Sequence, residues 1–160
     1  MLIQGTFLFN GPRELVWELL QDPDVLIKAL PGAQKLERVE GNRYQGSMRV
    51  GVGPVTAAEW SVQVDLHDLS PPESYRMLIE SRGPLGFTRG SASVELSSMG
   101  AATEMDYRAD LQVGGKVAGV GQRLLDQVAR MLTKHGLDAL SKELEARLQE
   151  QPAPRPPSEI

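Results

Sequence analysis

The feature that most limits what this chain can fold into is a double change of hydrophobic period. Helical spacing near the N-terminus gives way to alternation by twos from Ala33 to Val113, and helical spacing returns from about Lys116 to Leu148. The alternating tract is broken by turn signals at Gly41-Asn42, Gly51 to Pro54, Ser70-Pro71-Pro72, Gly83-Pro84 and Ser98-Met99-Gly100, which reads as successive antiparallel hairpins. The segment Glu59 to Asp68 shows the pattern most clearly. Trp60, Val62, Val64 and Leu66 share one face there, and Glu59, Ser61, Gln63, Asp65 and His67 share the other. The same alternation groups Tyr75 with Met77 and Ile79, Ala92 with Val94 and Leu96, and Met105 with Tyr107, Ala109, Leu111 and Val113.

A sheet with one apolar face has to bury that face against another element. The C-terminal segment supplies a cover through Val120, Leu124, Leu125, Val128, Met131, Leu132, Leu140, Leu144 and Leu148. A helix from Lys116 to Leu148 is about 50 Å long, enough to cross a whole sheet, with Gly136 as an expected bend or weak point. At the other end, Leu2 to Phe9 reads as a strand stopping at Asn10-Gly11-Pro12, with Asn10 as the expected cap of a helix over Arg13 to Gln21. Asp22-Pro23-Asp24 restarts a second short helix, which Leu30-Pro31-Gly32 ends. The expectation is an α+β domain over residues 1–148: a seven-stranded antiparallel sheet wrapped around a long C-terminal helix, with two short helices between strands 1 and 2. Residues 149–160 form a proline-rich tail; Gln151 to Ile160 holds four of the eleven prolines and reads as disordered.

Composition removes several classes of function. The chain has 160 residues, a formal net charge of -4 and no cysteine. The absence of cysteine excludes disulfides, thiolate metal sites and cysteine nucleophiles, and the negative balance gives no general support for a nucleic-acid partner. The segment Met1 to Phe7 lacks a basic flank and a long apolar run, so it reads as a strand rather than a signal peptide. A cytoplasmic protein is expected.

Particular residues sharpen the fold. Gly5 with Phe7, Val16-Trp17, Asp22-Pro23, Leu30-Pro31-Gly32, Val52-Gly53-Pro54-Val55 and Leu69-Ser70-Pro71-Pro72 occur in that order. They are followed by the run Val113-Gly114-Gly115-Lys116-Val117-Ala118-Gly119-Val120-Gly121. In this order and spacing the chain resembles the CoxG family of carbon monoxide dehydrogenase subunits, within the START-like, helix-grip superfamily also called SRPBCC. One departure is Thr133-Lys134-His135-Gly136, where members of the family commonly carry aromatic residues. The resemblance implies an accessory protein rather than a catalytic one, which accompanies a molybdenum hydroxylase and helps recruit it to the inner face of the membrane. It also implies a lipid- or quinone-like molecule held inside the grip, and no intrinsic cofactor.

Candidate site residues follow from the inward faces. Met48, Trp60, Met77, Met105, Tyr107, Val120, Leu124, Val128 and Met131 read either as plain core or as the lining of a ligand cavity, with Phe87 in the loop Leu85-Gly86-Phe87 as a gate over its opening. Six methionines and only 5% aromatic residues describe an adaptable interior. Catalytic groups are scarce. His67 falls on the polar face of its strand beside Asp68, and His135 lies in the terminal helix, facing either the cavity mouth or solvent. Glu104, Asp106, Arg108 and Asp110 read as a solvated sheet face, and no cluster has the spacing of metal ligands, so no intrinsic metal is expected. The glycines from Gly114 to Gly121 lack the lysine and hydroxyl residue of a phosphate loop, since Gln122-Arg123 follow the last of them. Arg123, Arg130 and Lys134 form a partial basic stripe, interrupted by Asp126, that can meet an acidic partner or anionic lipid.

The leading expectation is a non-enzymatic container. A cyclase- or hydrolase-like enzyme using Tyr107 or His135 is the alternative, and a cavity-less interaction module is a third. The sequence leaves open the ligand, the partner enzyme, and whether the chain is a monomer or a homodimer.

Overall fold

The computed structural model describes residues 1–52 and 54–150. The tail from Gln151 to Ile160, expected to be disordered, lies outside the described residues.

The chain forms β1 (Leu2–Phe9), α1 (Arg13–Gln21), α2 (Pro23–Ala29), β2 (Ala33–Arg38), β3 (Arg43–Val52), β4 (Val55–Ser70), β5 (Ser74–Gly83), β6 (Gly86–Met99), β7 (Ala102–Gly114), a short 3-10 turn (Lys116–Val120) and α3 (Gln122–Glu150). The strands make one seven-stranded antiparallel sheet in the order β1-β7-β6-β5-β4-β3-β2. Strands β2 to β7 are therefore a meander, while β1 joins the far edge by pairing with β7, and α1 and α2 carry the chain across from one edge to the other. The long antiparallel sheet with its terminal helix is the α+β arrangement expected from the two changes of period.

Local chemistry explains most element ends, with three differences from the sequence reading. Asn10 does not cap α1; Pro12 occupies that position without a side-chain cap, its carbonyl accepting from Leu15 N and Val16 N at 3.1 Å. Asp22 does cap α2, its carboxylate accepting from Asp24 N at 3.0 Å. The terminal helix begins later than its apolar period suggests. Gly115 and Gly121 take φ of +84° and +97°, a region open mainly to glycine, so Lys116–Val120 forms a separate turn before α3. Gly136, finally, does not interrupt α3. It is buried where α3 crosses α2, and a Cβ built there would lie 3.7 Å from Leu30 Cδ2.

The core is divided along α3. Around its C-terminal half, Leu140 and Leu144 pack with Phe9, Val16, Leu19, Val25, Tyr44, Tyr75, Leu96 and Met105, and Leu144 is fully buried. Bulky side chains fill the space between helix and sheet at this end. The Trp17 and Tyr75 rings meet edge to face with centroids 5.3 Å apart, and the Tyr44 hydroxyl donates to Gln21 O at 2.6 Å. Thr103, also fully buried, donates to Gly11 O at 2.8 Å and ties β7 to the turn before α1. Around the N-terminal half of α3 a smaller cluster of Val52, Trp60 and Val117 is joined by Val50, Leu85, Val113, Leu124, Leu125 and Val128. At this end the inward face of the sheet carries the short and β-branched side chains Val62, Ile79, Ser81, Thr88 and Val113.

Candidate functional site

That change of side-chain size opens a cavity of about 280 Å³ under the N-terminal half of α3. Its floor is the inward face of the sheet: Val62 on β4, Ile79 and Ser81 on β5, Thr88 on β6, and Leu111 and Val113 on β7. One wall is Met48, Val50, Val52 and Trp60 from β3 and β4, and the roof is Leu125, Val128, Ala129, Leu132 and Thr133 of α3. Ile3, Met1 and Val117 complete it. Among the described residues, no ionisable side chain lines the space.

The cavity's few polar side chains are uncharged. Ser81 Oγ and Thr88 Oγ1 lie 2.5 Å apart on facing strands, and the Thr133 hydroxyl donates to Ala129 O at 2.7 Å along its own helix. Trp60 Nε1 makes a long 3.4 Å contact to Val50 O. Such a site can exclude water from an apolar molecule, but its side chains include none suited to exchanging a proton near neutral pH.

A second groove, about 440 Å³, runs between β1 and α3 and shares Ile3, Ala129 and Thr133 with the first. It is polar. Asp126, Arg130, Lys134 and Asp138 line it from the helix, with Phe7 and Tyr107 on the sheet side. The Tyr107 ring lies over Gly5, where a Cβ would sit 2.7 Å from the phenolic oxygen; only glycine leaves room for it.

The residues expected to line the cavity divide into four groups. Met48, Trp60 and Val128 come together there. Met77, Met105 and Tyr107 belong to the filled core at the other end, and Tyr107 reaches the second groove as well. Val120 and Leu124 pack with the smaller cluster without lining the space. Phe87 and Met131 are 37% and 48% exposed. Phe87 lies against Gly114 of the neighbouring strand, where a Cβ would meet its ring at 2.4 Å. Nor is Leu85-Gly86-Phe87 a free loop: Gly86 begins β6, and Val117 N donates to Leu85 O at 2.7 Å. Met131 projects from the side of α3 because lining positions recur at 125, 128, 129 and 132, and it falls off that stripe.

The sequence reading missed most of the lining, including Val62, Ile79, Ser81, Thr88, Leu111 and Val113 on the sheet and Leu125 and Leu132 on α3. For Val62, Ser81, Thr88 and Val113 a signal was available as short residues on the inward face, for a cavity lies where side chains fail to fill space. Among the polar candidates, His67 sits on the outer face 3.2 Å from the Asp68 carboxylate, and His135 is exposed on α3. Asp106, Arg108 and Asp110 are exposed on the outer face of β7. No helix among the described residues is long and apolar enough to cross a membrane.

Known proteins place this architecture. A conserved protein from Geobacillus kaustophilus superposes with a TM-score of 0.86 at 28% identity, covering 91% of this chain and 96% of that one. The ZhuI aromatase/cyclase from Streptomyces sp. R1128 follows at 0.72 and 19% identity, covering 94% and 96%. A START superfamily protein from Mycobacterium smegmatis matches at 0.67 and 12% identity, covering 91% and 98%; these last two likenesses speak for the fold. No curated protein sequence matches the chain. The family model for CoxG, a group of carbon monoxide dehydrogenase subunits, matches residues 5–145, which is most of the chain and takes in every element from β1 to α3, and the protein therefore belongs to the CoxG family.

Proposed function

We propose that this protein is a non-enzymatic carrier that holds a hydrophobic, lipid- or quinone-like molecule under α3 and serves as an accessory to a molybdenum hydroxylase at the cytoplasmic face of the membrane. The observation that supports the reading is the apolar cavity of about 280 Å³, lined without any ionisable side chain among the described residues. The space opens to the surface, and its volume is about twice the 150 Å³ cavity that takes up a benzene ring, so it suits an apolar ligand segment of roughly ten to twelve non-hydrogen atoms. The hydroxylase and membrane roles follow from membership of the CoxG family.

The test is organic extraction of natively purified protein followed by mass spectrometry, with thermal denaturation in the presence of added quinones and neutral lipids. A co-purifying apolar compound that raises the melting temperature of stripped protein is the expected result. No extractable compound, and no shift with any addition, refutes the carrier. The alternative of a cyclase-like enzyme draws on the Tyr107 hydroxyl in the polar groove beside Arg130 and Lys134. Under that reading Tyr107→Phe abolishes turnover of a polyketide-like substrate; a carrier keeps its ligand affinity in the same variant.

A further inference from the structure

The inward face of β5 runs Tyr75, Met77, Ile79 and then Ser81; its partner β6 runs Leu96, Val94, Ala92, Gly90 and then Thr88. Two apolar stripes thus end in a facing pair of hydroxyls at the cavity floor. Each hydroxyl can donate one hydrogen bond. The 2.5 Å contact between Ser81 Oγ and Thr88 Oγ1 uses one of the two hydrogens, and neither oxygen has another partner among the described residues. One donor is left over at the floor, while the cavity's other polar side chains, Thr133 and Trp60, donate to the backbone at Ala129 O and Val50 O. A polar hydrogen in such a place needs an acceptor, from water or from a ligand.

We infer that the Ser81–Thr88 pair is the polar anchor of the cavity, and that it selects an apolar molecule carrying a hydrogen-bond acceptor, such as a ketone or ester. This rests on the carrier reading above and assigns the chemistry of its ligand. The amino group of Met1, the one ionic group on the described lining, donates to Leu111 O at 2.6 Å. The pair also borders the groove at the β5–β6 turn, where Arg82, Arg89 and Lys116 stand with Glu80, so the acceptor end of the ligand faces that hairpin.

The experiment is displacement of naphthalene, an uncharged fluorophore without hydrogen-bonding groups, from the full chain by 2-decanone and by decane, in the wild type and in Ser81→Ala/Thr88→Val. The substitutions keep nearly the same volume, and thermal denaturation checks that the variant folds. The anchor predicts that the double variant loses about tenfold in ketone affinity, about 1.4 kcal/mol, with naphthalene and decane binding unchanged. Thr88→Ser, which keeps both hydroxyls, binds the ketone as the wild type does. Equal ketone affinity in wild type and double variant overturns the anchor, and so does an equal loss for decane. A wild-type protein that binds no naphthalene and no ketone overturns the carrier reading itself, and the anchor with it.

Discussion

Filling the cavity separates a container from a packing defect. Val128 lies on the roof, and replacing it with Phe puts a ring in place of two methyl groups, directed into a space of about 280 Å³. Burying one large apolar side chain is worth about 1.5–3 kcal/mol relative to leaving it exposed, and valine already supplies part of that burial. The net gain for the ligand-free protein is about 1–2 kcal/mol, or about 2–8 °C in melting temperature for a chain of this length. Ligand affinity moves the opposite way, because the ring occupies the volume that a bound molecule needs. Thermal denaturation of stripped protein and fluorophore titration read the two effects on one sample. A loss of about 1–3 kcal/mol instead, the usual result of overpacking, means that the space is not there to fill. A stabilised variant that binds the fluorophore as tightly as the wild type means that the ligand sits elsewhere.

Three further outcomes follow from the packing. Gly136→Ala stabilises the fold by about 1 kcal/mol in urea denaturation, because a methyl there meets only Leu30 Cδ2 at 3.7 Å and Ala29 O at 4.0 Å while α3 sheds a helix-interior glycine. Leu144→Ala costs about 2–5 kcal/mol, and the cost of Gly11→Ala shrinks in that background, since a Cβ at Gly11 lies 2.9 Å from the Leu144 side chain; additive losses in the double-mutant cycle refute the contact. Burial holds the Tyr75 and Tyr44 phenols above the ordinary tyrosine range, so in alkaline titration these two form phenolate at higher pH in the folded protein than in a denatured sample. The sign is that of an acid kept neutral: its contribution to stability is complete below about pH 10 and disappears as pH rises through the folded value, which a urea titration series across that range detects.

Much of the fold was legible because period is a local property. Trp60, Val62, Val64 and Leu66 had to share a face wherever their strand was placed, and the Gly-Pro and Pro-Pro turns divided the tract into strands whose order followed from short connections. The legible part of the cavity was its wall at Met48 and Trp60 and its roof at Val128. The rest was hidden because Met77, Met105 and Tyr107 lie on the same apolar face as Ile79 and Leu111, yet at the end of the sheet where Trp17 and Leu144 fill the gap. Which end is filled depends on where α1 and α2 dock, and no alternation within a strand records that.

The sequence alone determined the number of strands, the faces that β4 to β7 bury, the two short helices and the family to which the chain belongs. Each is written in residues close together or in the order of motifs. Only the tertiary structure decided that α3 starts after a separate 3-10 turn, that Gly136 is a crossing point rather than a break, and that Ser81 and Thr88 face each other beneath the helix. Those outcomes are set by gaps between elements distant in the chain. A gap is a difference between the side chains that reach across it and the distance the backbone imposes, and that distance exists only once the sheet has closed on the helix.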